Sequence, residues 1–178
     1  MSTPAQMFDH ELNPLKGWPS PYALDKAADV KSGQPTILAG RVCCLDASSG
    51  NLVLGLTANA MPLFAFQNST DLDVVGDDGN LVGQGTATPR LNTLVATGSY
   101  ELESTEYDTG TYNANTALTA YAPADAKAGK LVAGTIGTHT VCGIVSAACS
   151  SGITNEFKKT VIRFWSVFVP GSTNKTSP

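Results

Sequence analysis

Basic clusters, long apolar runs, histidine and catalytic motifs are all scarce in this chain, and each scarcity argues against a class of function. Charged residues make up 15% of the 178, against about 25% in an ordinary soluble protein. Lys and Arg number 11 against 15 Asp and Glu, leaving a net charge of −4, and Lys158–Lys159 is the only basic pair. Nucleic-acid binding is therefore not expected, because it needs a basic stripe to displace counterions. No stretch nears the roughly 20 apolar residues of a membrane-spanning helix, so no membrane partner is expected. The amino terminus has no basic segment followed by an apolar one, so synthesis and residence in a cytoplasm are expected. The four cysteines, Cys43, Cys44, Cys142 and Cys149, contain no CxxC pair, which argues against a zinc ribbon or a thioredoxin-type site. Cys43 and Cys142 lie in apolar strand patterns, where a reduced thiol acts as a small hydrophobe.

What is present is strand and turn. The last long apolar segment, residues 159–169, carries Val161, Trp165, Val167 and Val169 on one parity and Ile162, Phe164 and Phe168 on the other. That pattern predicts a strand covered on both faces. Residues 36–45 (TILAGRVCCL) pass through a polar turn at 46–51 into 52–56 (LVLGL), a hairpin signal. Residues 62–67 follow. A second hairpin spans 71–84, where Asp77-Asp78-Gly79-Asn80 separates two short apolar runs. Further strands are expected at 91–97, 100–104, 117–121, 130–133 and 140–146. In 100–104, Tyr100, Leu102 and Ser104 share one face and leave Glu101 and Glu103 on a solvated one. A faint internal echo links residues 40–57 with 117–136. Each has an apolar entry, a small polar turn, then Leu-Val followed by Gly and Thr. Strands this short and turns this frequent predict a mainly-β fold, a single β-barrel or β-sandwich domain over 34–169.

Residues 1–33 differ. Pro4, Pro14, Pro19, Pro21 and the neighbouring Pro35 are half of the 10 prolines, so no regular period survives. Met7, Phe8, Leu12, Leu15, Trp18 and Tyr22 are too apolar for a disordered tail. They are the candidate interface residues of an extended N-terminal arm that docks on its own domain or on a neighbour. Removing 1–35 is expected to weaken attachment and leave the β-domain folded. Residues 170–178 read as a loose tail.

No catalytic residues, cofactor or metal site are expected. A Cys–His pair from His139 with Cys142 or Cys149 carries no family signature. Asp71, Asp73, Asp77 and Asp78 lack the order of a calcium loop. Glu101, Glu103 and Glu106 would need a cleft to act as a glycosidase pair. Phe164 and Trp165 resemble a sugar-stacking platform less than they resemble core or interface.

The stretch 121–170 carries Tyr121 and Asp125, Gly-Lys-Leu-Val at 129–132, Cys-Gly-Ile-Val-Ser at 142–146 and Thr-Asn-Glu-Phe…Ile-Arg-Phe-Trp at 154–165. It resembles the carboxyl-terminal half of virion structural proteins of tailed bacteriophages, and capsid decoration (cement) proteins are the nearest group. The resemblance covers about half the chain and transfers no individual functional residue. It implies a non-enzymatic protein made in the host cytoplasm and bound to the outer surface of the capsid. The implied partners are the major capsid protein and further copies of the chain, as a homo-oligomer (trimer or dimer). The alternative is a tail, neck or fibre-associated β-module that binds carbohydrate.

Overall fold

The computed structural model describes residues 11–16, 26–66, 68–69, 74–75, 81–82, 90–96, 98 and 100–178. Every regular element among them is a strand: β1 (Leu12–Lys16), β2 (Lys26–Asp29), β3 (Val42–Leu45), β4 (Leu52–Leu54), β5 (Leu63–Ala65), β6 (Val74–Val75), β7 (Leu81–Val82), β8 (Arg90–Val95), β9 (Glu101–Ser104), β10 (Thr111–Tyr112), β11 (Ala117–Ala120), β12 (Leu131–Ala133), β13 (Val141–Val145), β14 (Cys149–Ser150), β15 (Ile153–Thr154) and β16 (Thr160–Val169). The fold is mainly β, as expected, and both expected hairpins form: β3 pairs β4 and β6 pairs β7, each antiparallel.

Two sheets carry the architecture. The larger has the order β1-β9-β16-β13-β11-β12, with β15 added to β16, and the smaller has the order β2-β8-β5-β3-β4. A parallel bridge curls each sheet, joining the two edge strands of the smaller and the second strand to the far edge of the larger. Val30, just past β2, reaches Leu52 on β4, and the Lys31 amide donates to the Leu52 carbonyl at 2.9 Å. In the larger sheet Tyr107, just past β9, bridges Leu131 on β12. The smaller sheet thus rolls into a near-closed barrel lined by Ala28, Val30, Cys43, Leu52, Leu54, Leu63, Ala65 and Leu91. Its outward row, Val42, Cys44, Phe64 and Leu94, packs against Leu102, Leu118, Leu131, Ile162 and Phe164 of the larger sheet. The rings of Phe64 and Phe164 meet across this junction, 5.5 Å apart.

The strands with two dry faces are β3, β5 and β11, in which Val42, Cys43, Cys44, Leu63, Phe64, Ala65, Ala117, Leu118, Thr119 and Ala120 are all buried. The sequence places that property in β16, and the structure corrects it. Ile162, Phe164 and Ser166 face the core, whereas Trp165 on the other parity is 37% exposed. β16 is covered on both faces at Val161 and Ile162 and opens to solvent on one face at Trp165, while β3 and β5 lie between the barrel interior and the sheet junction.

The two echoing hairpins, β3–β4 and β11–β12, sit against each other at that junction. Gly55, at φ +106°, lies against the backbone of Ala122 and Pro123, and Gly129, at φ +74°, lies against the Val42 carbonyl and the Leu54 side chain. A Cβ at either position would overlap its neighbour, so the glycine after one Leu-Val strand and the glycine before the other permit close backbone contact.

Two strands come from the segment read as an arm. β1 is an edge strand on β9 and β2 pairs β8. The expected loose tail is also attached. Lys175 bridges Tyr121 and Thr173 bridges His139, and the Ser177 amide donates to Asp125 Oδ2 at 2.6 Å. A short polar tail stays ordered when its amides replace water with fixed acceptors.

That attachment is pH-sensitive. Hydrogen bonds from the Ser177 and Lys127 amides hold Asp125 below its ordinary 3.8. Burial and the nearby Lys175 ammonium hold His139 below its ordinary 6.5, and its Nδ1 accepts the Thr135 amide at 3.1 Å. Both folded values lie below the unfolded ones, so each contribution is complete above the unfolded pKa and is lost as pH falls through the folded one. Amide protection at Thr173 and Ser177 is expected to be constant above pH 6.5, to fall as His139 protonates, and to fall again below 3.8. Protection that rises on acidification would contradict this assignment.

The Ser166 hydroxyl is fully buried and has no hydrogen-bond partner among the described residues. Ser166→Ala removes a stranded polar group whose desolvation costs about 1–3 kcal/mol. The variant is expected to melt at the wild-type temperature or above; a clear drop would mean that the hydroxyl is satisfied in solution.

Candidate interaction surface

Cross-strand register assembles a surface on the outer face of the larger sheet. Lys16 opposes Glu101, Glu101 opposes Trp165, Trp165 opposes Ile144 and Ile144 opposes Ala117. Directly opposed residues share a face, so one row runs from the β1 edge to β11, one strand short of the far edge, with Trp165 at its centre. A second row places Asn13 opposite Glu103 and Glu103 opposite Arg163. Lys16 reaches the first row because β1 is bulged between Pro14 and Lys16. The bulge accommodates Leu15, which is exposed, and proline is tolerated on an edge strand.

The charges on this face are paired within the protein. Lys16 Nζ is 3.4 Å from Glu101 Oε2 and 5.7 Å from the centroid of the Trp165 ring. Arg163 Nε is 3.3 Å from Glu103 Oε2. Glu103 is not on a wet face, as the alternation implies, but is 2% exposed. Asn155 Nδ2 donates to its Oε1 at 2.8 Å and Asn13 Nδ2 donates to the same oxygen at 3.4 Å. The same two amides donate to Glu11 Oε2, at 3.4 and 3.0 Å. A buried carboxylate is tolerable when it is so supplied with donors. This network fastens β1 to β9 and to the turn before β16.

Of the candidate interface residues, Leu12 lies in the core of its own domain and Leu15 lies at the exposed bulge. Met7, Phe8, Trp18 and Tyr22 fall outside the described residues. Trp165, read from the sequence as core or interface, is an exposed large apolar side chain, as are Phe157, Ile136 and Met61, which that reading did not single out. The sequence signal for Phe157 is an aromatic set among Asn155, Glu156, Lys158 and Lys159.

Among the described residues, the other weighed groups have partners of their own. His139 takes its hydrogen bond from Thr135, whereas the Cys142 thiol donates to the Leu118 carbonyl. Burial raises the Cys142 pKa far above the thiol range, so this sulfur stays protonated. Glu106 pairs with Arg41, on the opposite side of the strand from Glu101. Asp71, Asp73, Asp77 and Asp78 lie outside the described residues. Among the described residues no cluster of His, Cys, Asp and Glu has metal-binding geometry, and no helix is long and apolar enough to cross a membrane. No protein-family model, no curated protein and no solved structure matches the chain.

Proposed function

We propose that this chain is a capsid decoration protein, a non-catalytic component that covers joints between subunits of a viral shell from the outside. The observation that carries the reading is the Trp165 row with Leu15 at its border. Trp165 and Leu15 are exposed apolar side chains whose flanking charges are already neutralised by Glu101 and Glu103. Another protein can cover such a face without stranding a charge. Half-buried tryptophan is also the side chain most often found at the energetic centre of protein interfaces. Repeated over a lattice, contacts that are weak singly become strong together. The resemblance of residues 121–170 to phage virion proteins supplies the kind of partner, a major capsid protein.

The test mixes purified protein with shells that lack it, sediments the particles, and compares bound copies with the shell subunit on a gel. Binding near the number of lattice positions is expected, reduced at least about tenfold in a Trp165→Ala, Leu15→Ala double variant. Failure of the wild-type protein to sediment with shells would overturn the reading. A second reading, a tail or fibre module for carbohydrate, draws on the same exposed indole beside Glu101 and Lys16, since sugars stack on aromatic faces and bond to adjacent charged groups. A few copies per particle, or release by free sugar, would favour it.

A further inference from the structure

Among the described residues, the two main sheets are closed at every edge but β1. In the smaller sheet β2 and β4 close on each other. The Lys31 amide donates to the Leu52 carbonyl at 2.9 Å, and the Leu54 amide donates to Gln34 Oε1 at 3.0 Å. At the far edge of the larger sheet, residues 106–108 cover β12. The Leu131 amide donates to the Glu106 carbonyl at 2.9 Å, and the Leu131 carbonyl accepts the Asp108 amide at 2.8 Å. β1 is the edge that remains.

An open row of backbone amides and carbonyls is a template for a strand of another molecule. Register shows which groups of β1 form that row. Glu11 turns both of its backbone groups toward Thr105, the residue after β9. Its carbonyl accepts the Thr105 amide at 3.2 Å and its amide donates to Thr105 Oγ1 at 2.9 Å. Direction alternates along a strand, so Asn13 also faces β9, while Leu12 and Pro14 turn their backbone groups outward. Pro14 has no amide hydrogen to offer there. Beyond it Leu15 bulges, which ends the alternation and bends the strand. Lys16 follows, exposed. An incoming strand meets a missing donor, a broken register and a charge, the means by which open edges are kept from pairing.

We propose that Pro14 and the Leu15 bulge are an edge guard that keeps β1 from pairing with β1 of a second copy. Association is thereby left to side-chain faces and withheld from the backbone. Without the guard, two β1 edges would pair antiparallel about a two-fold axis, extending the larger sheet from one copy into the next. The guard acts on backbone pairing alone and does not depend on what the Trp165 row binds.

The test is sedimentation velocity over a range of concentrations, with amide exchange followed residue by residue on the full-length chain. Pro14→Val restores the missing donor, and deletion of Leu15 as well leaves Lys16 opposite Glu101 in an unbroken register. In the wild-type protein the Leu12 amide is expected to exchange rapidly at every concentration, while the Asn13 amide is protected. In the double variant self-association is expected to strengthen about tenfold or more, since each restored donor is used once by each copy. Protection at positions 12 and 14 should appear together with it. Pro14→Val alone keeps the bulge and should show a smaller gain, and thermal melting verifies that both variants fold. A folded double variant that associates no better than wild type, or associates with no new protection at positions 12 and 14, would overturn the proposal. So would slow exchange of Leu12 in dilute wild-type protein, because the edge would then already be covered. Unfolding of both variants would make Pro14 and the bulge requirements of the β1–β9 pairing instead, which also overturns it.

Discussion

Deletion of residues 1–35 is expected to abolish cooperative unfolding, not to release a dispensable arm. The segment contains both β1, the edge strand on β9, and β2 with Val30, which joins the two ends of the smaller sheet. Leu12, Ala28 and Val30 are 5%, 9% and 4% exposed, so their removal opens both cores. Loss of one buried leucine typically costs about 2–5 kcal/mol, and whole-domain stability is only about 5–15 kcal/mol. Removing two apolar side chains from the barrel interior and an edge strand from the larger sheet is of the same size as the total. The Glu11–Asn155 and Asn13–Glu103 hydrogen bonds are lost as well, leaving Glu103 with fewer donors. A urea titration followed by circular dichroism should show a broad, early transition or none. A truncated chain unfolding at the full-length midpoint would show that these strands add nothing to the fold.

Substitutions at two adjacent residues of β16 are expected to separate stability from recognition. Phe164 is fully buried and packs at a tilt against Phe64 at the sheet junction. Phe164→Ala leaves a cavity that neighbouring β strands cannot collapse to fill, at a cost of about 3–5 kcal/mol. Gly143, directly beneath the ring, offers no side chain to take its place. Trp165→Ala removes a side chain on the outer face, where the indole already borders solvent, so a much smaller loss of stability is expected. Its effect should instead appear in surface binding. Equal destabilisation by the two substitutions would mean that Trp165 is covered within its own chain and is not available to a partner.

The frequent turns, the alternating apolar positions and the scarcity of 3.6-residue periods were enough to identify strands and both hairpins from the residues alone. Register within a hairpin is a local property, set by the turn and the alternation. The buried state of Cys43 and Cys142 was legible for the same reason. Glu103 was not, because alternation shows only that it opposes Leu102. Whether that face is wet depends on Asn155 and Arg163, more than fifty residues away. Leu12 and Leu15 look alike in sequence, three residues apart in a proline-broken segment. Only the bulge at Leu15 and the pairing of β1 with β9 send one into the core and the other to the surface.

Local residue pattern by itself determined that this protein is built from short antiparallel strands and where most of them lie. Tertiary structure alone decided which strands are covered twice, because coverage depends on what packs above and below, and an apolar run carries no information about its own neighbours. β16 carries the largest number of apolar residues yet presents Trp165 to solvent, while the shorter β3, β5 and β11 are enclosed. Long-range closure, Val30 onto Leu52 and Tyr107 onto Leu131, turns open sheets into curled ones and leaves the Trp165 row on the outside.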